Sequence, residues 1–569
     1  MENNIKPALL TTAIVIIFNI NQLLPLPATA DEVKFNGIEG KVDVKLPGEP
    51  YQIEGKRMVF TNWFYIRPGI LRWYDKQGKA LPLIDYDTAT GPWGAEMRKE
   101  YTPVGIKIIA QPAQRFGPLI KAEHPWEQTG VSFCTIIKDG DIFKAWGPCE
   151  DKKSKRFMAY FESKDGLKWK RPKLGVVEYN GSKENNLINL DPGYYGSTFY
   201  GWSVFKDPVA APTERYKAMK TGKIPAEQFA EYRKKWPDDW VPLSSRGNNW
   251  CVINAAVSAD GKNWTILTQP IFVEHSDTQS VVYYDRQLKK YVLYTRSYML
   301  GNRSANAPSK LQVGQWGRSR RRSIGRTEST DFRHFGPSEL VLMPEPKLLP
   351  SDHIYNNART SIPGAPYHHL MFPTIYHMTD DTTTITIATS FNGKNWYHIT
   401  DPLILKTNTF GQWDGGCVFS HPDMIELPNG SFTLPYTGYK YPHKYPRGDW
   451  QFWPGYALWP KGRLIALEAE EHGEFATVAI MPPARKLRIN AVTKRAGKIL
   501  VEVVNYDPQY NENKALPKRT FNDCDPIIGD QHWTPVTFNG TDNLGCKEGD
   551  AIFLRFKMFK AKIFGLQFE

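Results

Sequence analysis

The sequence predicts an all-β protein: a five-bladed β-propeller with a C-terminal β-sandwich and a β-rich N-terminal extension. Three observations support this prediction. A short turn phrase recurs along the middle of the chain, strand-like runs precede each copy, and strand-like alternation continues after the phrase has stopped. Repetition of this kind indicates stacked structural units, and four short strands per unit are typical of propeller blades.

The turn phrase has three close copies and one degenerate copy. It reads SKDGLKW at 163–169, SADGKNW at 258–264 and SFNGKNW at 390–396, with STDFRHF at 329–335. Asp-Gly and Asn-Gly favour tight hairpin turns, because both central residues of a type I′ turn need a positive φ. We expect the final Trp or Phe to open an outer strand and to pack against the neighbouring sheet.

A fifth unit lacks the phrase but fits four strands, at 415–424, 431–436, 455–458 and 464–467. The propeller is therefore predicted over 120–467, the extension over 31–119 and the sandwich over 468–569. Large insertions are expected at 207–246 and 298–322, where the spacing between strands widens. Tandem small β-domains are the alternative that such turns also allow.

Residues 1–30 have the features of a secretory signal peptide. Lys6 precedes an apolar run over 8–20, and Ala28 and Ala30 suit a cleavage site. A transmembrane anchor is the alternative, but the run is shorter than the roughly 20 residues that a bilayer span needs. We expect cleavage before Asp31 and a secreted protein, periplasmic or extracellular, with no membrane span.

Composition favours a β-protein or a sugar-binding protein. The chain contains 18 Trp, 28 Tyr and 29 Phe residues and carries a net charge of +13. Aromatic rings pack sheets, and their faces also suit the apolar faces of sugars. A basic exported protein could bind an anionic glycan. Nucleic acid is not an expected partner, because no helix-turn-helix, zinc-finger or RNA-binding pattern occurs.

The cysteine spacing predicts neither a metal site nor a cofactor. None of the six cysteines has C-x-x-C spacing. Cys524 and Cys546 share one C-terminal segment and are the best candidates for a disulfide, which export permits. Phosphate-binding loops, the G-x-S-x-G elbow and the H-E-x-x-H motif are all absent from the sequence, which removes the usual support for a kinase, a serine hydrolase or a zinc protease.

The predicted architecture resembles glycoside hydrolase families 32 and 43, and most closely family-32-like proteins of uncharacterised specificity. Both families have five-bladed propellers with S-x-D-G-x-x-W turns, and family 32 adds a C-terminal sandwich. Of the family-32 motifs, only an R-D-P-like triplet occurs, Lys206-Asp207-Pro208, while W-x-N-D-P-N-G and the E-C dipeptide are absent. The resemblance implies an enzyme whose catalytic carboxylates lie on the innermost strands of successive blades.

Glycosidic cleavage usually needs one protonated and one ionised carboxyl group beside the bond. Glu127 is our candidate for the ionised base or nucleophile, with Glu123 as the alternative. Asp207, in the R-D-P-like triplet, is assigned a contact with a substrate hydroxyl and the transition state. Asp277 is the candidate general acid, with Glu274 second, because the third inner strand supplies the acid in the resembling families. Each of these carboxylates could equally belong to a surface loop or a turn.

Further polar residues near the predicted starts of blades three, four and five are candidates for binding sugar hydroxyls. They are Glu274, His275, His368, His369 and Asp414. Paired histidines also suit a metal, but no further ligand has motif spacing, so no metal is expected.

Together these features predict a secreted glycoside hydrolase that is exo-acting on an extracellular polysaccharide or oligosaccharide. The basic charge of the protein makes an anionic glycan, sulfated or uronic, a candidate substrate. A polysaccharide lyase on a uronic-acid glycan and a non-catalytic glycan-binding propeller are the alternatives.

Overall fold

The computed structural model describes residues 32–35, 38–41, 48–77, 79, 96–190, 202–239, 249–273, 276, 278–299, 306, 321–444, 451–507 and 513–569. Its contacts divide the chain into two units, Met1–Glu49 and Pro50–Glu569. The first unit contains an antiparallel hairpin of β1 (Glu32–Phe35) and β2 (Ile38–Lys41). Everything below concerns the second unit.

The second unit begins with six short strands and a 3₁₀ turn at Trp63–Tyr65. The strands are β3 (Tyr51–Gln52), β4 (Arg57–Met58), β5 (Ile70–Tyr74), β6 (Glu96–Glu100), β7 (Lys107–Ala110) and β8 (Gln114–Phe116). Of these six strands, β5 and β6 form a separate two-stranded sheet. β3, β4 and β7 join a sheet near the C-terminus, and β8 joins a sheet formed much later in the chain. The predicted extension therefore contributes strands to sheets at both later parts of the chain.

Three successive repeats of antiparallel strands follow, and each has the four-strand order of a propeller blade. Repeat one has β9 (Gly130–Val131), β10 (Thr135–Asp139), β11 (Ile142–Glu150), β12 (Arg156–Ser163) and β13 (Leu187–Ile188), with β9 and β10 sharing the first position. Repeat two has β14 (Ser203–Lys206), β15 (Tyr216–Pro225), β16 (Asn249–Ser258) and β17 (Thr265–Ile266). Repeat three has β18 (Val281–Asp285), β19 (Lys290–Tyr298), β20 (Arg322–Ser329) and β21 (Glu339–Leu342). 3₁₀ turns lie at Pro125–Glu127 and Pro212–Glu214.

One α-helix, α1 (Ala226–Lys235), connects β15 to the segment before β16. Within the ranges given above, no helix has both the length and the apolar character needed to cross a membrane.

Repeat four is one long four-stranded sheet that is interrupted in the middle. Its strands are β22 (Asp352–Asn356), β23 (Arg359–Ile362), β24 (Ala365–Met371), β25 (Thr374–His377), β26 (Thr382–Ile385), β27 (Ile387–Ser390), β28 (Tyr397–Ile399) and β29 (Leu405–Lys406). The two halves keep one register, since Met371 lies opposite Ala388 and Thr374 opposite Ile385. Pro373 stands at the interruption, where its missing N–H removes a ladder hydrogen bond.

Repeat five takes its outermost strand from the N-terminal segment. It contains β30 (Cys417–Ser420), β31 (Ile425–Glu426), β32 (Phe432–Tyr439) and β33 (Phe452–Trp459), and β8 pairs with β33. The prediction that 464–467 supplies this strand is wrong. Those residues fall at the start of β34 (Ile465–Ala476), which pairs with β7 in the C-terminal sheet. A strand contributed from more than 300 residues upstream, Gln114 opposite Leu458, leaves no local pattern in the sequence.

The recurring phrase forms the turn between the third and fourth strands of repeats one to four. The Ser hydroxyl accepts a hydrogen bond from the N–H three residues later, and the Asp or Asn Oδ1 accepts two further N–H groups. In three copies the carbonyl of the turn glycine accepts a bond from an aromatic side chain of the preceding repeat: Tyr456 for Gly166, Trp146 for Gly261 and Tyr294 for Gly393. The turns therefore also join neighbouring sheets.

Antiparallel order gives every repeat two distinct ends. The turns between strands one and two and between strands three and four leave from one end, which we call the turn end. The connections between strands two and three, and those from one repeat to the next, leave from the other, which we call the connection end. The insertion predicted at 298–322 lies between β19 and β20, at the connection end. The one predicted at 207–246 begins at the turn end, contains β15 as the second strand of its repeat, and reaches the connection end only with α1.

The C-terminal strands form one eight-stranded sheet with β3, β4 and β7. They are β34, β35 (Ile480–Met481), β36 (Leu487–Asn505), β37 (Asp530–Pro535) and β38 (Ile552–Phe568), after a 3₁₀ turn at Pro460–Gly462. Both halves of β36, from Leu487 to Val503, contribute to one apolar cluster, and bulges interrupt the pairing of β36 with β38. The sheet thus curls around a single core, and a sandwich of two separate sheets stays a prediction.

None of the five cysteines whose side chains are described forms a disulfide. Cys524 and Cys546, the candidate pair, are both buried and free. The Cys524 sulfur accepts a bond from the Val501 N–H and contacts the Asp525 carbonyl, so it is held by the backbone around it.

Candidate functional site

The first strands of all five repeats border one cavity, which we call the axial cavity. Its wall includes one residue from each repeat, in order Ile137, Phe205, Tyr283, Arg359 and Asp423, and its volume is about 360 Å³. Ile137, Phe205, Tyr283 and Arg359 lie toward the turn ends of the first strands of their repeats, and Asp423 lies between β30 and β31. The repeats therefore surround a common axis, as the blades of a propeller do.

A polar floor crosses this axis nearer the connection end. Gln279 donates from Nε2 to the Cys134 carbonyl (2.8 Å), and its Oε1 lies 2.9 Å from Nδ1 of His421. His421 Nε2 lies 2.6 Å from the Thr437 hydroxyl, which contacts Ser132. All five residues are at most 3 % exposed. The floor joins repeats one, three and five, and about 10 Å of strand, or three residues, separates it from the axial cavity.

The proton order in the floor follows from its acceptors. Gln279 Oε1 can only accept, so His421 carries its proton on Nδ1 and accepts from Thr437 at Nε2. Burial lowers the pKa of His421 to about 3, which keeps the ring neutral. Ser132 in turn donates to Thr437. Every polar group along this line has a partner, so the floor closes the axis without a buried charge.

Arginine, tyrosine and histidine side chains form a wall at the connection end, between repeats three, four and five. The Arg296 guanidinium carbon lies 4.4 Å from the ring centre of Tyr355, and that of Arg322 lies 5.4 Å away. Arg296 also donates to the Tyr355 carbonyl (3.0 Å), and the Tyr355 hydroxyl lies 2.8 Å from Nε2 of His443. Tyr376 packs edge-on against Tyr355. This arrangement concentrates positive charge on an aromatic surface.

The imidazole of His353 reports the electrostatic potential of this wall. Burial, and after it the charges of Arg322, Arg296 and Arg321, together lower its pKa to about 4. Its Nδ1 accepts a bond from the Arg322 N–H at 3.0 Å. The three arginines therefore add a positive potential at His353 to the effect of its burial.

Glu127, the predicted base or nucleophile, is fully buried at the end of a 3₁₀ turn. Its Oε1 accepts from Arg171 (2.7 Å) and its Oε2 from the Glu123 N–H (3.1 Å). Arg171 also binds the carboxylate of Glu123 and the Lys121 carbonyl. These contacts give Glu127 a structural task, the anchoring of the segment that enters repeat one, and its catalytic role stays a prediction.

Asp207, in repeat two, and Glu127, at the start of repeat one, lie at opposite ends of the repeats. Asp207 directly follows β14, at the turn end, whereas Glu127 precedes β9 at the connection end. Its Oδ2 forms a buried ion pair with Lys217 and accepts from the Tyr291 hydroxyl (2.7 Å), and its Oδ1 accepts from the Val209 N–H. The two carboxylates therefore do not converge, and the catalytic role of Asp207 also stays a prediction.

Glu274, His275 and Asp277 lie outside the described residues. The structure does describe two neighbours of Asp277. Ser276 and Thr278 are buried, and the Ser276 carbonyl accepts a bond from the Thr221 hydroxyl (2.6 Å). The chain on either side of position 277 is thus fixed at the connection end of repeat three.

His368 and His369 point to opposite faces of β24, as adjacent residues of a strand must. Nε2 of His368 accepts from the Val59 N–H (3.3 Å), and burial lowers its pKa to about 4. Nδ1 of His369 lies 2.9 Å from Arg359 Nη2, which donates to it, and His369 borders the axial cavity. The pair cannot share one ligand. Among the described side chains, no cluster of three or more His, Cys, Asp or Glu residues could hold a metal.

Asp414 is fully buried near the outer edge of repeat five. Its Oδ2 binds Arg115 of β8 and accepts from the Tyr436 hydroxyl (2.8 Å). These contacts fix the strand that completes the repeat, and sugar binding by Asp414 stays a prediction.

Four residues that border the axis were not singled out from the sequence: Gln279, Arg359, His421 and Asp423. Each interrupts or flanks an apolar first strand, as in NNAR at 356–359 and HPD at 421–423. Polar residues at the same place in several repeats were the available signal, but it becomes visible only once the strands are aligned.

No family model matches the chain, and no curated protein matches it. Several solved structures that it is similar to are glycoside hydrolases. A glycosyl hydrolase from Bacteroides ovatus is 13% identical, with a TM-score of 0.36 over 63% of this chain and 95% of that one. A thermostable family-43 glycoside hydrolase is 12% identical, with a TM-score of 0.35 over 60% and 93%. An N-acetylgalactosamine deacetylase from F. plautii, in complex with blood group B trisaccharide, is 12% identical, with a TM-score of 0.36 over 62% of this chain and 95% of that one. Scores this low do not by themselves establish an activity for this chain.

Proposed function

We propose that the protein is a secreted glycoside hydrolase on a five-bladed propeller, which removes units from the end of an extracellular, anionic glycan. The observation that carries the proposal is the closed polar floor beneath the positive, aromatic wall at the connection end. The function is argued from this site, because one fold serves many activities.

Five repeats around one axis support the propeller. Each supplies its first strand to the axial cavity, and β8 completes repeat five from the other end of the chain. Closure of this kind removes exposed sheet edges, and it ties the start of the ring to its end.

The floor supports an exo mode of action. Gln279, His421 and Thr437 form a hydrogen-bonded line across repeats three and five, between the connection end and the axial cavity. A glycan that enters from the connection end meets this floor, so a chain terminus fits such a pocket better than the middle of a long polymer.

The wall supports an anionic substrate. Arg322 is half-buried beside Tyr355 and His353, so its charge is only partly screened by water. A guanidinium on a partly buried aromatic surface suits a carboxylate or sulfate carried by a sugar ring.

For the chemistry we propose Asp277, or failing that Glu274, as the general acid, because the described neighbours Ser276 and Thr278 are buried at the connection end of repeat three. Apolar surroundings and other carboxylates would raise its pKa toward the working pH. The ionised partner is Glu127, provided that its ion pair with Arg171 breaks when the substrate binds. Glu123 is the alternative.

The test compares Asp277→Asn with wild type on a natural uronic or sulfated oligosaccharide and on an aryl glycoside with a good leaving group. Loss of general acid catalysis typically costs about 10² to 10⁴ in rate, and a good leaving group needs no proton. We expect a loss of that size on the oligosaccharide and a much smaller one on the aryl glycoside. Near-wild-type hydrolysis of the oligosaccharide would exclude Asp277, and Glu274→Gln is then tested in the same way.

A lyase is the second candidate, because the Tyr355–His443 pair beside two arginines has the components of a base and a carboxylate-neutralising group. A lyase releases an unsaturated uronic product that absorbs in the near ultraviolet. Product release without such absorbance favours hydrolysis, and glycan binding without any product favours a non-catalytic propeller.

A further inference from the structure

We propose that the axial cavity is a second ligand site, which binds a small hydroxylated carboxylate such as a monomeric sugar acid. The site lies at the turn end, on the other side of the floor from the proposed substrate face. It does not depend on the proposed hydrolysis, and a different set of residues forms it.

The cavity has the size and the setting of a small-molecule site. A neighbouring cavity of about 510 Å³ shares four lining residues with it: Ile137, Arg359, Ser361 and Asp423. Pockets for small ligands are usually a few hundred Å³ in volume, with a few convergent polar groups. Arg359 and Asp423 are such groups, and they lie where the two cavities meet.

Arg359 is a buried cation whose hydrogen bonds are incomplete. It is 6 % exposed, its guanidinium carbon lies 3.3 Å from the ring centre of Tyr283, and Nη2 donates to His369. Among the described residues, its Nε has no hydrogen-bond partner. A buried charge without a close counter-charge is costly. An anionic group in the cavity would satisfy both the charge and the free N–H.

Asp423 presents a carboxyl group to the same space. Its backbone has the left-handed φ of 71°, between β30 and β31. No hydrogen bond of its side chain is seen within the described part of the chain, and the residue is half-buried. Burial raises the pKa of Asp423 to about 7, and Arg359 only partly opposes this. A carboxyl that is protonated near neutral pH can both donate to and accept from a ligand hydroxyl.

Two of the other charged groups that border the cavity, Asp285 and Lys206, are already engaged, and Arg286 adds a further positive charge to its lining. Asp285 accepts two backbone N–H groups and the Tyr283 hydroxyl, and Lys206 binds Asp139. The ligand must therefore match Arg359 and Asp423 together. A carboxylate on Arg359 Nε, with a hydroxyl on Asp423, meets that requirement. A neutral sugar would leave the charge of Arg359 uncompensated.

The experiment is calorimetric titration of the full chain with D-glucuronate at pH 6 and constant ionic strength, with D-glucose as the neutral probe. Wild type is compared with Arg359→Gln and Asp423→Gly, because glycine adopts a left-handed φ without strain. Arg171→Gln is the matched control. The Arg171 side chain is also largely buried, but its guanidinium is fully engaged by Glu123, Glu127 and Lys121. Arg322→Gln tests whether glucuronate binds at the connection end and not in the axial cavity.

We expect wild type to bind glucuronate at least tenfold more tightly than glucose. Arg359→Gln and Asp423→Gly should each weaken that binding at least tenfold, while Arg171→Gln and Arg322→Gln keep it. If Arg359→Gln does not fold, Asp423→Gly decides. The proposal is overturned if wild type does not bind glucuronate, if glucose binds equally well, or if only Arg322→Gln loses binding. Hydrolysis of a glycan is measured separately, so either proposal can fail alone.

Discussion

Asp423 gives the molecule a carboxyl group whose ionisation should destabilise the fold. A shift of its pKa from 3.8 to about 7 corresponds to a free-energy difference of about 4 kcal/mol at most. Because the side chain borders a cavity that water can enter, we expect about half of that, roughly 2 kcal/mol. The folded pKa is raised, so the folded state retains a proton that the unfolded state releases between about pH 4 and pH 7. The associated stability is present below pH 4 and is lost as the pH rises through 7.

The substitution Asp423→Asn removes this ionisation. Asparagine is nearly isosteric and tolerates the left-handed backbone, so we expect the variant to be more stable than wild type at pH 8 by roughly 2 kcal/mol, with a smaller difference at pH 4.5. Urea unfolding at both pH values measures the change. Other titrating groups cancel in the difference between the two proteins. An Asn variant that is equally or less stable at pH 8 would refute the reasoning.

The matched control is Asp139→Asn, for which the opposite sign is expected. Burial alone would raise the pKa of Asp139, but hydrogen bonds from Lys144, Lys206 and Tyr216 outweigh it and lower the pKa. The stability that Asp139 contributes is present above the unfolded pKa and is lost as the pH falls through the folded value. Asp139→Asn should therefore destabilise the protein at pH 8.

Three further predictions concern the ring and its charges. Asp207→Asn should leave Lys217 buried without a counter-charge and cost about 3 to 5 kcal/mol in urea unfolding; a loss of activity without a loss of stability would instead support a catalytic role. Arg115→Met should leave Asp414 uncompensated and free β8 from repeat five, measured as faster proteolysis before residue 130. Binding of an anionic glycan should weaken between 0.1 M and 1 M salt, because the screening length falls from about 10 Å to about 3 Å; an affinity that stays flat would indicate a neutral glycan.

Local signals in the sequence predicted the repeats. Pairing between strands that are far apart in the chain could not be predicted from such signals. The turn phrase specifies its own hydrogen bonds within seven residues, so its four copies mark four sheets. The outer strand of repeat five comes from Gln114–Phe116, and no pattern near repeat five points there. The split of repeat four at Pro373 was also missed, since one register continues across it.

The candidate site was harder to predict than the fold, because a carboxylate in the sequence does not show its partner. Glu127 and Asp207 were chosen for their position near first strands, yet each is paired with a basic side chain, Arg171 or Lys217. Arg359 and Asp423 attract no attention as single residues. Their interest arises because different repeats bring them to one cavity.

The recurring turn supplies its own control for a last prediction. The carboxylate of Asp165 accepts the N–H groups of Leu167 and Lys168 at 2.8 and 2.7 Å, and Asn392 accepts the equivalent pair through its amide oxygen at 2.9 Å. The turn thus needs an oxygen acceptor at this position and does not need a charge. Asp165→Asn should therefore change the unfolding free energy little at pH 7.

Asp165→Ala removes both acceptor bonds. A hydrogen bond to a charged group contributes about 1.5 to 3 kcal/mol, and exposure of this turn to water reduces the loss, so we expect about 1 to 3 kcal/mol in total. Hydrogen bonds that the Lys168 and Leu167 N–H groups donate to the carboxylate lower the pKa of Asp165, so any stability difference between wild type and Asp165→Asn should disappear as the pH falls below about 4. Urea unfolding of both variants at pH 7 and pH 3.5 measures this. If Asp165→Asn were as destabilising as Asp165→Ala, the charge would matter more than the acceptor, and the Asn at position 392 would have no explanation in the hydrogen bonds of the turn.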